Sequence, residues 1–231
     1  MIKAVIFDLD GLLIDSEIIS YQICQEILNR YGHGFSKAEY AQNYSGKTGI
    51  ANMQNLIRTY QLPLSMEGGL ELAETLEKGF LDQGVALKNG AKELLSYLRD
   101  HHYKTAVASS STKDRAFKIL EHHGIAGCFD EFVFGNEVER SKPAPDIFLK
   151  ACLKVSEKPE HCLVLEDSEA GIQAGFSANI PVICIPDLKL PEQEYLDQTA
   201  AVLDSLEDVI EYVKGQELER DKPAVSEAVK E

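Results

Sequence analysis

Asp8 and Asp10 stand at the end of a short apolar run, Ala4-Val5-Ile6-Phe7, and are followed at once by Gly11. Side chains repeat every two residues in extended backbone, so both carboxylates project to the same side. The run is too short for a helix and reads as a strand buried on both faces, as in the middle of a parallel sheet. The carboxyl end of such a strand is where open α/β proteins bind their ligands. Like charges this close repel, so at neutral pH either a cation sits between them or one carboxyl holds its proton more tightly than usual. A hard, oxygen-seeking Mg²⁺ suits the pair, and an Asp that keeps its proton can serve as a general acid. Gly11 lets the backbone turn out of the strand and lets a ligand approach the main chain. For the isolated motif, a solvated strand end with an Asp-Gly turn is an equally good account.

Three further runs carry groups of the right chemistry. In Ala108-Ser109-Ser110-Ser111-Thr112, hydroxyls and free N–H groups precede a helix, which makes either a phosphate cradle or ordinary capping. In Arg140-Ser141-Lys142-Pro143-Ala144-Pro145-Asp146, Lys142 is either a solvated loop charge or a cation whose direction the two prolines restrict. In Leu165-Glu166-Asp167-Ser168, one acid is explained by the dipole of the helix that follows, but a pair is not.

The elements needed to hold these runs follow from hydrophobic period. From Ser16 the pattern is helical. Ser16 is placed to cap a helix whose stripe is Ile19, Ile23, Cys24, Ile27, Leu28 and Tyr31, and Ser36-x-x-Glu39 reads as a capping box. Helical segments continue at about 48–60 and 65–80. A purely helical stretch inserted after a strand predicts a small bundle over 16–83 whose stripes pack on one another. From Val85 strands and helices alternate, with strands at Thr105–Ala108, Phe132–Phe134, Cys162–Leu165, Val182–Ile185 and Ala200–Leu203. That rhythm predicts a doubly wound parallel sheet, α/β in class, formed by 1–15 and 84–214. Residues 215–231, rich in Glu and Lys, read as a disordered tail.

Composition narrows the partners. The 231 residues are 44% hydrophobic, enough for a core, and the net charge of −15 without a basic cluster argues against nucleic acid or an anionic membrane. No stretch approaches a membrane span, and the first strand begins where a signal peptide would lie. Five scattered cysteines without paired spacing fit reduced thiols, hence a cytoplasmic location. A monomer acting on a small molecule is expected.

The run Phe7-Asp8-Leu9-Asp10-Gly11-Leu12-Leu13-Ile14-Asp15-Ser16-Glu17 resembles the opening motif of the haloacid dehalogenase superfamily, in its phosphatase and phosphomutase branch. The three later runs resemble the remaining motifs, in order, so the likeness extends over about 1–214. It implies a Rossmann-like core with a helical cap. It also implies Asp8 as nucleophile toward phosphorus, Asp10 as acid and base, and Ser109, the Ser110 main chain and Lys142 on the phosphate. Mg²⁺ would be held by Asp8, the Asp10 carbonyl, Glu166 and Asp167. In related caps the loop around Lys47 reaches the site.

Dehalogenases of the superfamily lack the second Asp of this motif, and a phospho-accepting receiver domain needs no cap. The nearer rival is β-phosphoglucomutase, whose third and fourth motifs look similar. Mutases of that kind carry a His where this chain has Ser20 and an Arg where it has Gly49, so the grip on a second phosphate is missing. The start of the chain and the cap Gly-Lys are similar instead to pseudouridine-5′-phosphatase-like enzymes. The expected activity is hydrolysis of a small phosphorylated metabolite, a sugar phosphate or nucleoside monophosphate.

Overall fold

A computed structural model describes residues 1–220, without the side chains of 217–220. In chain order its elements are β1 (Ala4–Phe7), α1 (Ser16–Arg30), α2 (Lys37–Asn43), α3 (Gly49–Tyr60), α4 (Met66–Gln83), α5 (Ala91–Asp100), β2 (Lys104–Ser109), α6 (Lys113–His122), β3 (Glu131–Phe134), α7 (Asp146–Lys154), β4 (Cys162–Glu166), α8 (Glu169–Ser177), β5 (Val182–Cys184), α9 (Gln193–Leu196), β6 (Ala201–Val202) and α10 (Asp208–Arg220). The six strands form one sheet in the order β3-β2-β1-β4-β5-β6, every pair parallel. This is the doubly wound α/β arrangement that the alternating pattern implied.

The period of two explains how such apolar strands are covered on both sides. Val5, Phe7, Val107, Leu163, Leu165 and Ile183 join one cluster with Leu94 and Leu98 of α5, Ile119 and Leu120 of α6, and Val209 and Val213 of α10. Their neighbours Ala4, Ile6, Ala106, Ala108, Val164 and Val182 face the other way, against Ile147 and Phe148 of α7 and Ile172 of α8.

The inserted helices gather a core of their own, with Cys24, Ile27, Leu28, Phe35, Tyr40, Tyr44, Met53, Leu56 and Leu62. Ser36, Thr48 and Ser65 each accept a hydrogen bond from the N–H three residues on, fixing the starts of α2, α3 and α4. Ser16 does not cap: it is the first helical residue, and Asp15 takes the cap position without a side-chain bond. The Asp15 N–H is instead drawn to the Ala86 carbonyl, as the Lys88 N–H is to Leu13, so the two segments leading into and out of the bundle run side by side.

The chain end differs from expectation. Helix α10 continues through 215–220, past the boundary expected at Lys214, because Val209 and Val213 anchor it in the core and the good helix formers at 216–220 carry it on past Gly215. The rest of the expected tail, 221–231, lies outside the described residues. Among the described residues no helix is long and apolar enough to cross a membrane. Cys24, Cys152, Cys162 and Cys184 are buried, and all five cysteines are free.

Candidate active site

The sheet order reverses between β1 and β4, and the crevice outside a reversal of this kind is open to a ligand. Phe7 is in register with Val107 on one side and Leu165 on the other, and the Asp8 N–H continues the ladder to the Leu165 carbonyl at 3.1 Å. Asp8 therefore leaves the sheet between the ends of β2 and β4. Three residues on, Gly11 turns with φ +88°, and a Cβ built there would stand 2.2 Å from the Asp167 Oδ2. The turn thus needs glycine twice over, for the dihedral and for the close approach. Gly11→Ala is expected to cost about 1 kcal/mol of stability from the backbone alone, and to displace the Asp167 carboxylate. Denaturant unfolding and a Mg²⁺ titration check the two effects separately.

Lys142 is the cation at the centre. Its Nζ donates to the Asp8 Oδ1, to the Glu166 Oε1 at 2.6 Å and to the Ala108 carbonyl at 3.1 Å, and it lies 4.9 Å over the Phe148 ring. Burial opposes the ammonium charge, but Asp8 and Glu166 outweigh it and hold the lysine protonated, above its ordinary value. Glu166 is fully buried. Its other oxygen, Oε2, accepts from the N–H groups of Asp167 and Ser168 and from the Ser168 hydroxyl at 2.9 Å, so the side chain fixes the loop after β4 as well as Lys142. Gly171 allows this, since a Cβ there would overlap the Glu166 carboxyl at 1.8 Å.

Asp8, Glu166 and Asp167 can each bring one oxygen within 4.8 Å of the others. Three carboxylates against the single Lys142 ammonium leave two negative charges uncompensated. Burial, then Lys142 in the opposite sense, then Glu166 and Asp10, leave the Asp8 carboxyl pushed up to about 7. Burial and the neighbouring Glu166 and Asp8 raise Asp167 well above the carboxylate range. The Asp167 carboxylate forms no hydrogen bond or ion pair among the described residues. An all-oxygen cluster with a surplus of two charges and a free ligand atom fits a hard divalent cation.

Asp10 is turned away from that cluster. Its Oδ2 accepts from the Ser111 hydroxyl at 2.6 Å and from the Arg115 Nη1 at 2.9 Å, and the same Nη1 lies 2.8 Å from Oδ1. Ser111 and Arg115 were not singled out in the sequence. Ser111 stood inside a run already noted, and Arg115 follows it by four residues at the start of α6, one turn away on the same face. That pairing was available as a signal. The partner of Arg115 on the other side, Glu77 of α4, was not.

Ser109 ends β2, is buried, and accepts from the Ser111 N–H at 3.0 Å. Ser110 is exposed, its main chain close against Gly135. Lys47 is bonded at its Nζ to the Asn43 carbonyl at 2.7 Å. With Ser45 and Gly46 it lines a pocket of about 110 Å³ whose opposite wall is Asp167, Ser168, Asp187 and Lys189. The structure thus brings Asp8, Gly11, Lys142, Glu166 and Asp167 into contact and sets Lys47 across a gap from Asp167.

A family profile described as haloacid dehalogenase-like hydrolase matches residues 5–185. Among curated proteins, the chain is 34% identical over 209 residues to the bifunctional riboflavin kinase/FMN phosphatase of Arabidopsis thaliana, covering 90% of this chain and 54% of that protein. It thus spans about half the length of that relative. It is 34% identical over 211 residues to a Drosophila melanogaster protein named "Probable pseudouridine-5′-phosphatase", covering 88% of this chain and 89% of that one. Among solved structures, β-phosphoglucomutase from Clostridium difficile superposes with a TM-score of 0.73 at 24% identity, over 95% of this chain and 99% of that one, a likeness that shows the fold alone. A profile match over most of the chain, and two relatives above 30% identity along nearly all of it, agree with the four strand-end motifs, and the chain belongs to the haloacid dehalogenase-like hydrolase family.

Proposed function

We propose that this protein is a phosphatase of a small phosphorylated metabolite, a sugar phosphate or nucleoside monophosphate, working through a phosphoryl group carried on Asp8. The observation that carries the reading is the pairing of a buried carboxylate, Asp8, with a buried ammonium, Lys142, at the sheet reversal, while a second carboxylate, Asp10, is held two residues away on its own hydrogen bonds. Both curated relatives compared above also carry phosphatase in their names.

In this reading an Asp8 oxygen attacks phosphorus in line and the bond to the leaving oxygen breaks. Lys142 balances charge on the phosphoryl oxygens with help from Ser109 and the Ser110 main chain, and Asp10 gives its proton to the leaving oxygen. Asp10, now a carboxylate, takes a proton from water as that water attacks phosphorus, and the bond to the Asp8 oxygen breaks, which frees phosphate and returns the Asp8 carboxylate. Asp8, Glu166, Asp167 and the Asp10 carbonyl are the groups that would hold Mg²⁺. When bound, the ion neutralises the surplus charge and polarises the phosphoryl group.

A phosphatase is favoured over a mutase by what occupies the cap. Gly49 begins α3 with open space around it, Ser20 lies on α1, and neither offers a cation to a second phosphate. The test is a panel of phosphate monoesters, with β-glucose 1-phosphate and a trace of the 1,6-bisphosphate among them, assayed with Mg²⁺ and after chelation. Free phosphate is expected to match substrate loss for every ester accepted, and to stop with chelator. Glucose 6-phosphate accumulating without free phosphate would replace this reading with the mutase.

A further inference from the structure

We propose that Arg115 is a positioning residue that couples the cap to the acid/base carboxylate, with Glu77 as its cap-side partner. The guanidinium bridges two parts of the molecule. Its Nη1 holds Asp10 and Ser111, the latter at 2.7 Å, and its Nε donates to the Glu77 Oε1 at 2.8 Å. Arg115 sits on α6, the helix after β2, whereas Glu77 sits on α4, the last helix of the inserted bundle. Glu77 lies where α4 passes from the bundle core, at Leu76, to the sheet core, at Phe80, so the link starts at the junction of the two and ends on the carboxylate that must reach the leaving oxygen.

The bridge is enclosed. The Arg115 side chain is only 19% exposed. Burial opposes its charge, and the two carboxylates restore it, so each of them is a needed partner. Asp10 in turn has no slack. Its Oδ2 takes two hydrogen bonds, and its buried Oδ1 faces Arg115 without a directed bond.

With Glu77 engaged, the guanidinium divides its attraction between two carboxylates and holds Asp10 at a fixed angle. Without Glu77, all of that attraction falls on Asp10 and draws it toward α6, away from the reacting phosphate. Proton delivery thus depends on where the cap sits, although Glu77 touches nothing that reacts.

The inference rests on Asp10 being the acid and base, and the test separates the two claims. Single-turnover release of the leaving group, which precedes the aspartyl-phosphate hydrolysis common to both esters, is compared on p-nitrophenyl phosphate, whose leaving group departs without a proton, and on the alkyl monoester best accepted in the panel above, whose leaving oxygen needs one. Asp10→Asn is the reference, expected to lose about 10²-fold or more on the alkyl ester and far less on the aryl ester. Glu77→Gln is expected to lose about 10-fold and Arg115→Met about 10²-fold in the single-turnover release from the alkyl ester, with release from the aryl ester within about twofold. The double variant should be no worse than Arg115→Met, since Glu77 acts only through Arg115. Equal losses on both esters, no loss, or multiplying losses in the double variant would overturn the link, because a merely structural contact behaves in one of those ways. If Asp10→Asn itself shows no leaving-group dependence, the acid role fails and the link falls with it. If Asp10→Asn shows that dependence and the other variants do not, the link alone is wrong.

Discussion

Asp8→Asn is expected to abolish turnover, by at least about 10⁴-fold, the scale on which removal of a covalent nucleophile registers, while leaving the fold intact. An amide at this position has the shape of the carboxyl but cannot attack phosphorus. The variant also has a stability signature that a surface carboxylate would lack. Asp8 is buried beside Glu166, and its carboxyl is pushed from 3.8 to about 7 by burial first. A folded value above the unfolded one means that the native state holds the proton longer. The cost of ionising Asp8 is therefore absent below pH 3.8, grows between there and about 7, and is complete above. In chelator at pH 8, Asp8→Asn should then be more stable than the parent, on the order of 2 kcal/mol, with the difference vanishing toward pH 4. Denaturant melts at the two pH values measure this. A variant that turns over normally would remove Asp8 from the role proposed, and one that unfolds more readily at pH 8 than the parent would show that the pairing with Lys142 outweighs the cost of burial.

Lys142→Met should have the larger effect on folding. The ammonium is all but enclosed, and three acceptors close on it: Asp8, Glu166 and the Ala108 carbonyl. Methionine keeps most of the volume and the contact with Phe148 but leaves two buried carboxylates facing each other. Removing one partner of a buried ion pair typically costs about 3–5 kcal/mol. Loss of a cation on the phosphoryl oxygens should lower kcat by about 10²–10³-fold. Adding Asp8→Asn to Lys142→Met should recover part of the lost stability, since one of the facing charges is gone, while activity stays absent. A Lys142→Met protein within about 0.5 kcal/mol of the parent, the range of an ordinary surface substitution, would mean that the buried cluster is balanced in some other way.

The contrast between Lys142 and Arg115 shows where sequence reasoning reached and where it stopped. The strands were legible because each is an apolar run of the right length between turn signals, and the helices of the bundle because their stripes repeat at helical spacing. The places of Asp8, Ser109, Lys142, Glu166 and Asp167 were legible because each lies at a strand end or just before a helix, positions that local pattern marks. Helix α10 was missed although its pattern is there, since Leu206, Val209, Ile210 and Val213 follow at helical spacing and all pack on the same core, before the polar run beyond Lys214. What no local pattern contains is the company these residues keep. Lys142 meets Asp8 across 134 positions of chain, Arg115 meets Asp10 across 105 and Glu77 across 38. Those meetings follow from the order of strands in the sheet and from the seat of the inserted helices on it. Hydrophobic period and capping record how each segment lies against its own neighbours in the chain, and carry no term for which distant segment is packed beside it.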